Sequence, residues 1–366
     1  MKTGRSLNEI AAEITRQNET KKDYITSTQN LAIVADEKAG VALEVKGKGA
    51  FPIRPVAHGQ IAEHTKIPKT YYDRMLSEAP GLLANNVNEW FTRYPATRLV
   101  RTLDGNNRAL LSDKFATLDN FDFANAILPI VAERQLEIKS CEVTETKLYI
   151  KVIDKQEFKV PVGYKMGDGS HKIFDVCCPA LIFSNSEVGF GRLSVDIGTY
   201  TSACTNLAWF AKDGFKRTHV GARHLLTENL SVGDLDQIMS DETKRKTQEA
   251  LWLQVRDVTK SAFDAKIIAD RSARLEAAGN EVFKASEAAG VVEVVGTKLG
   301  LNGTEKNSVL ELLLNGGNLS QYGVHAAITR TAQDVEDYDR ATDLEYLGGK
   351  VIDLRPAEWR QLAEAA

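Results

Sequence analysis

Three places in this sequence gather residues able to hold a polyanion. The run Arg108-Ala-Leu-Leu-Ser112-Asp113-Lys114-Phe115 joins two cations, a hydroxyl and an aromatic ring at the end of a β-rich stretch, a combination that contacts phosphates and stacks bases. Asp113 and Asp119 equally suit the capping of a helix entry, so the block carries both readings. Lys212, Lys216, Arg217, His219, Arg223 and His224 make the densest positive segment, opposed nearby only by Asp213 and Glu228. Attraction to a nucleic-acid backbone needs such local density; a solvated loop at a domain boundary also displays it. In the third place, residues 184–192, Phe190 and Arg192 stand beside Gly189 and Gly191, and the glycines alone ask only for a turn.

Other chemistries find less support. Residues 163–172 hold three glycines with Lys165, His171 and Lys172, but the strand, Gly-Lys-Ser/Thr and helix order of a nucleotide-binding loop is absent, so a hairpin tip is expected. Cys177, Cys178, His219 and His224 are metal-ligand types without a Cys-x-x-Cys or His-Glu-x-x-His spacing; adjacent Cys177 and Cys178 should also point to opposite faces of a strand. A Gly-x-Ser-x-Gly elbow is missing, and the acids Asp334, Glu336, Asp337 and Asp339 read as a solvated helix face beside Arg330 and Arg340. The expectation is a protein without a catalytic residue, metal or cofactor.

Elements that must position these residues follow from pattern. Leu7, Ile10, Ala11 and Ile14 share one face of an N-terminal helix, and residues 31–34 and 41–45 read as a hairpin. The stretch 55–76 reads as two short helices with a helix-turn-helix outline, although Thr65, Lys66 and Ile67 replace the usual small residue of the turn; a plain helical pair packed on a sheet is the stronger reading. A helix over 81–94, strands over 98–103 and 108–111 around Asp104-Gly105, and a helix over 120–134 bent at Pro129 come next. Strands are then expected at 137–143, 147–153, 158–160, 180–184, 192–197 and 199–207, in an antiparallel arrangement. Helices follow at 234–254 and 258–287, a glycine-interrupted connector at 290–303, more helix at 308–314, 322–337 and 343–347, and a peripheral tail after Pro356.

The predicted fold is therefore α+β: a mixed, mostly antiparallel sheet with flanking helices and a helical C-terminal half. Its expected divisions are 1–95 (helices and hairpin), 96–225 (central sheet domain) and 226–366 (mainly helical). A chain of 366 residues, 43% hydrophobic and 26% charged, has ordinary globular composition. It has no apolar run near the ~20 residues of a membrane-spanning helix, and its polar start lacks the apolar centre of a secretory signal. A cytoplasmic protein with free thiols is expected. The net charge of −4 argues against a wholly basic nucleic-acid protein, so any such contact requires cations segregated into a patch.

Four blocks in order, GQIAEHTKIPKTYYDRML with NNVNEWF, RALLSDKFATLDNFDF, SNSEVGFGRLSVDIGTYTSACTNLAWF with KRTHVGARH, and LSQYGVHAAITRTAQDVEDYDRATDLEYLGGKVIDL, resemble the domain-of-unknown-function 932 family of phage and plasmid proteins. The resemblance spans most of the chain and implies a mobile-element setting, with DNA recombination or single-strand annealing as the suspected role. Residues and resemblance together lead to the expectation of a homo-oligomer that binds single-stranded DNA. Arg108, Lys114, Arg192, Lys212, Lys216, Arg217 and Arg223 would follow the backbone while Phe115 and Phe190 stack on bases. The alternative expectation is a phage interaction protein that binds a host or phage protein, to which the acidic total is better suited.

Overall fold

Ser6 starts the first helix as a reciprocal cap: its hydroxyl accepts from the Glu9 amide, and the Glu9 carboxylate accepts from the Ser6 amide. The helix it opens, α1 (Leu7–Thr20), buries Ile10 and Ile14. The computed structural model describes residues 1–36, 40–164, 172–202, 206–219 and 240–364. Within them the chain is a mixed α+β fold with antiparallel sheets and a helical C-terminal half.

After α1 come β1 (Lys22–Ser27), β2 (Leu31–Asp36), β3 (Gly40–Val45) and β4 (Gly49–Pro52), with β2, β3 and β4 forming one three-stranded sheet. Three helices cover it: α2 (Pro55–Thr65), α3 (Lys69–Glu78) and α4 (Pro80–Arg93). Lys66 closes α2 in the left-handed region, φ 56°, and Pro80 opens α4 where no amide donor is needed. The α2–α3 pair turns Ile61, Ala62, Tyr72 and Met75 onto Leu31, Ile33 and Leu43, so its apolar face belongs to a sheet core. Strands β5 (Thr97–Leu103) and β6 (Asn106–Ser112) form the expected hairpin, with Asp104 and Gly105 at positive φ in the turn. Since β1 pairs along its whole length with β5, Lys22 opposite Thr102, strands from both sides of residue 95 share one sheet.

Helix α5 (Asn120–Glu133) keeps Pro129 inside it and leads to β7 (Glu137–Val143), β8 (Leu148–Ile153), β9 (Phe158–Tyr164), β10 (Lys172–Asn185), β11 (Leu193–Thr201) and β12 (Asn206–Arg217). These make a six-stranded sheet in the order β12-β11-β10-β8-β7, with β9 pairing the first half of β10. The expected strand over 199–207 is in fact the end of β11 and the start of β12, and the sheet runs on through Arg217 instead of ending at 207. Alternation explains the extension: Phe215 packs into the core while Lys216 faces the other way. Gly214 fits a bulge beside Val195, where a Cβ would lie 2.5 Å from the Val195 carbonyl oxygen.

One face of this sheet carries Leu181 and Val195 against Phe123, Ile127 and Val131 of α5. The opposite face carries Tyr149, Ile182 and Trp209. The helical half comprises α6 (Asp241–Ser261), α7 (Ala265–Asn280), α8 (Ala288–Leu299), α9 (Gly303–Gly316), α10 (Gln321–Thr331), α11 (Tyr338–Ile352) and α12 (Pro356–Glu364). Most of the expected connector 290–303 is α8, because Val291, Val292 and Val295 recur at helical spacing and are buried in the C-terminal core. The tail is not peripheral: Trp359 is 1% exposed in that core. Helix α11 crosses β12 at Gly349, where a Cβ would overlap the Trp209 carbonyl oxygen, and this close approach makes α11 a wall of the site. No helix among the described residues is long and apolar enough to cross a membrane.

Candidate nucleic-acid interface

Loop 186–192, between β10 and β11, is held from three sides. The Glu187 carboxylate pairs with Arg108 at 3.0 Å and accepts from the Asn120 amide at 2.8 Å, at the start of α5. Its carbonyl accepts from buried Arg101, which also pairs with Asp23 and Asp119. Asn185 donates to the Leu118 carbonyl and to Asn120, and Gln60 of α2 donates to the Val188 carbonyl at 2.7 Å. Ser186 donates to the Thr146 carbonyl and accepts from the Phe190 amide. Gly189 is required twice over: its φ is +83°, and a Cβ would lie 2.8 Å from Leu111. Residues 184–188 are buried, whereas Phe190 is 52% exposed and Arg192 is exposed. A rigid base thus presents a ring and a guanidinium to solvent.

Arg192 forms the rim of a cleft of about 500 Å3 between the six-stranded sheet and α11. Five cations line it: Lys147, Arg192, Lys216, Arg340 and Lys350. The carboxylates there are Asp196 and Asp343. Asp196 is 2% exposed; one of its oxygens accepts from Ser194 at 2.8 Å and from Tyr346 at 2.7 Å, and the other lies 3.2 Å from Lys216 Nζ. Burial and the neighbouring Asp196 raise the Tyr346 hydroxyl well above its ordinary range, so it remains a donor. Arg340 is held by Glu305 at 2.6 Å. Among the described residues Lys147, Arg192 and Lys350 have no ion-pair partner. Gly191 gives the Lys147 stem its passage, since a Cβ there would lie 3.1 Å from Lys147 Cε. Cations around an open cleft suit phosphate oxygens, and the buried Asp196 carboxylate lies among them.

Of the residues singled out in the sequence, only Arg192 and Lys216 meet in this cleft. Arg217 stands opposite Leu193 in the ladder, one residue from the Lys216–Ser194 pair, and so lies on the α5 side of the sheet. Arg108 is 8% exposed and committed to Glu187: it supports the loop and cannot reach a strand in solvent. Phe115 is half-buried, its ring stacked on His219 at 4.7 Å, and Lys114 lies beside it in the turn after β6. Phe190 borders a separate depression with Gly59, Glu63 and Lys69. Arg223 and the Lys212 side chain, like Lys165 and His171 of the glycine loop, lie outside the described residues. Cys177 and Cys178 fall into different buried clusters, as strand alternation requires.

The chain matches no family model, no curated protein and no solved structure. The comparisons therefore add no support to the expected resemblance to the domain-of-unknown-function 932 family. The segments 108–123 and 184–192 meet in space, joined by Arg108–Glu187 and Asn120–Asn185. Lys147, Arg340 and Lys350 were missed by sequence reasoning. A signal existed for the last two, because Arg340, Asp343, Leu347 and Lys350 fall at helical spacing along one face of α11.

Proposed function

We propose that this chain binds single-stranded DNA, with backbone phosphates in the cleft of Lys147, Arg192, Lys216, Arg340 and Lys350. The observation that carries this reading is the convergence of five cations from the sheet, the 186–192 loop and α11 on one cleft, in a chain whose net charge is −4. An acidic protein attracts a polyanion only where cations are concentrated, and this cleft brings five together, three of them without an ion-pair partner among the described residues. Exposed Phe190, next to Arg192, supplies a surface on which a base can stack. The cleft is open, and the reading is one of binding, with no bond made or broken. Strand annealing during recombination, the role the resemblance implies, would be this binding applied to complementary strands, with a homo-oligomer extending the track.

Fluorescence anisotropy of a labelled oligothymidylate across a salt series tests the reading. Neutralising three phosphates gives a slope of log affinity against log salt of roughly −2 for a single strand. Absence of binding at low salt overturns it.

A further inference from the structure

A second groove, of about 740 Å3, opens where α2 turns into α3 and α4 ends. Its walls include Tyr71, Trp90 and Tyr94, with Lys66, Asn86 and His64 between them. Tyr71 and Tyr94 are 46% and 64% exposed, so both rings are open to a ligand from solvent. The rings are not loose. Trp90 donates through Nε1 to Asn86 at 2.8 Å, Tyr94 stacks on it at 5.7 Å and an interplanar angle of 14°, and the Arg93 guanidinium sits 5.8 Å from its centre. Among the described residues no carboxylate lines this groove, and its aliphatic wall is Ile67 and Pro68. Flat rings, an amide and a lysine suit a planar, electron-poor, hydrogen-bonding ligand better than an aliphatic side chain.

The surface around it connects this groove to the cationic cleft. Ile67 lines both the aromatic groove and the depression beside Phe190, and Gly191 and Arg192, the next residues after Phe190, line the cleft. We infer that the aromatic groove is a nucleobase-stacking subsite, in which Tyr71 and Tyr94 receive bases of the same single strand whose phosphates occupy the cleft. The inference rests on the single-strand reading above and adds to it a site on α3 and α4 and a requirement for bases. A strand lying along this surface meets cations first, then the Phe190 ring, then the Tyr71–Trp90–Tyr94 platform.

The test compares two probes, an oligothymidylate and an abasic phosphodiester strand of equal length, on the full chain and on Tyr71→Ala/Tyr94→Ala. Each stacked ring is worth about tenfold in affinity, so the double variant should lose on the order of a hundredfold for oligothymidylate and keep its affinity for the abasic strand. Tyr71→Phe/Tyr94→Phe, which retains both rings, should restore binding, and this separates stacking from a folding defect. Oligothymidylate should also quench Trp90 fluorescence, a signal absent from Trp90→Phe. Equal binding of oligothymidylate by parent and Ala variant overturns the subsite while leaving the cleft reading standing. Failure of the Phe variant to restore binding overturns it as well. No binding of either probe by the parent chain removes both readings together.

Discussion

The Arg108 guanidinium lies 3.0 Å from the Glu187 carboxylate with both side chains nearly sealed from solvent, and the pair ties β6 to the loop that displays Phe190 and Arg192. A cation that reads in sequence as a phosphate contact is thereby a support for the contact surface.

Removing one partner of this pair leaves the other buried and uncompensated. Arg108→Ala or Glu187→Ala should therefore lower the free energy of unfolding by about 3–5 kcal/mol. Urea denaturation measures it, and a loss below about 1 kcal/mol would show that water or a neighbour takes over the orphaned charge. Arg108→Met/Glu187→Leu, which removes both charges, should recover much of the loss.

Much of the framework was legible in the sequence because it depends on local chemistry. The N-terminal helix face around Ile10 and Ile14 and the Asp104-Gly105 turn each declare themselves within a few residues, whereas β5 is buried on both faces, Arg101 and Thr102 included. The continuation of β12 to Arg217 was hidden by Gly214 and three cations, which look like a loop until Phe215 is seen in the core. Helix α8 was obscured by its glycines, whose cost the buried valines outweigh. The cleft was half legible: Arg192 and Lys216 stood out by charge, but the α11 cations join them only through long-range packing at Gly349 and Trp209.

That packing makes a sharp contrast between two glycines. Gly349→Ala puts a methyl group into the Trp209 carbonyl and should destabilise the chain by several kcal/mol, beyond about 3 kcal/mol if α11 must lift from the sheet. Gly303→Ala, at the first position of α9 with open space around it, should be neutral or stabilise by about 0.4–1 kcal/mol. Thermal melts of the two variants decide it, and equal melting temperatures would contradict the close α11–β12 contact.

Stability should fall with acid earlier than carboxylate titration requires. Burial lowers His58, His64 and His325 each from 6.5 to about 4, helped at His58 by Lys69 and at His64 by Arg98. His325 is 2% exposed and donates from Nδ1 to the Gly348 carbonyl, so the neutral ring is the one the fold accepts. A base with a lowered folded pKa binds its proton more readily when unfolded. Stability is therefore complete above pH 6.5 and is lost as pH falls from 6.5 towards 4, at up to roughly 1.4 kcal/mol per pH unit for one fully buried imidazole. Urea midpoints between pH 7 and 4.5 check this; a flat profile down to pH 5 would contradict the buried neutral histidines.

The most direct test of the cleft is the salt dependence of oligothymidylate binding in two variants that remove cations from opposite faces of one sheet. Arg192→Ala/Lys350→Ala should weaken binding and reduce the salt slope by about 1.4, some 0.7 for each phosphate no longer neutralised. Arg217→Ala, on the α5 side, should leave both affinity and slope as they are. Equal weakening from the two faces, or none from Arg192→Ala/Lys350→Ala, would contradict a phosphate track in this cleft.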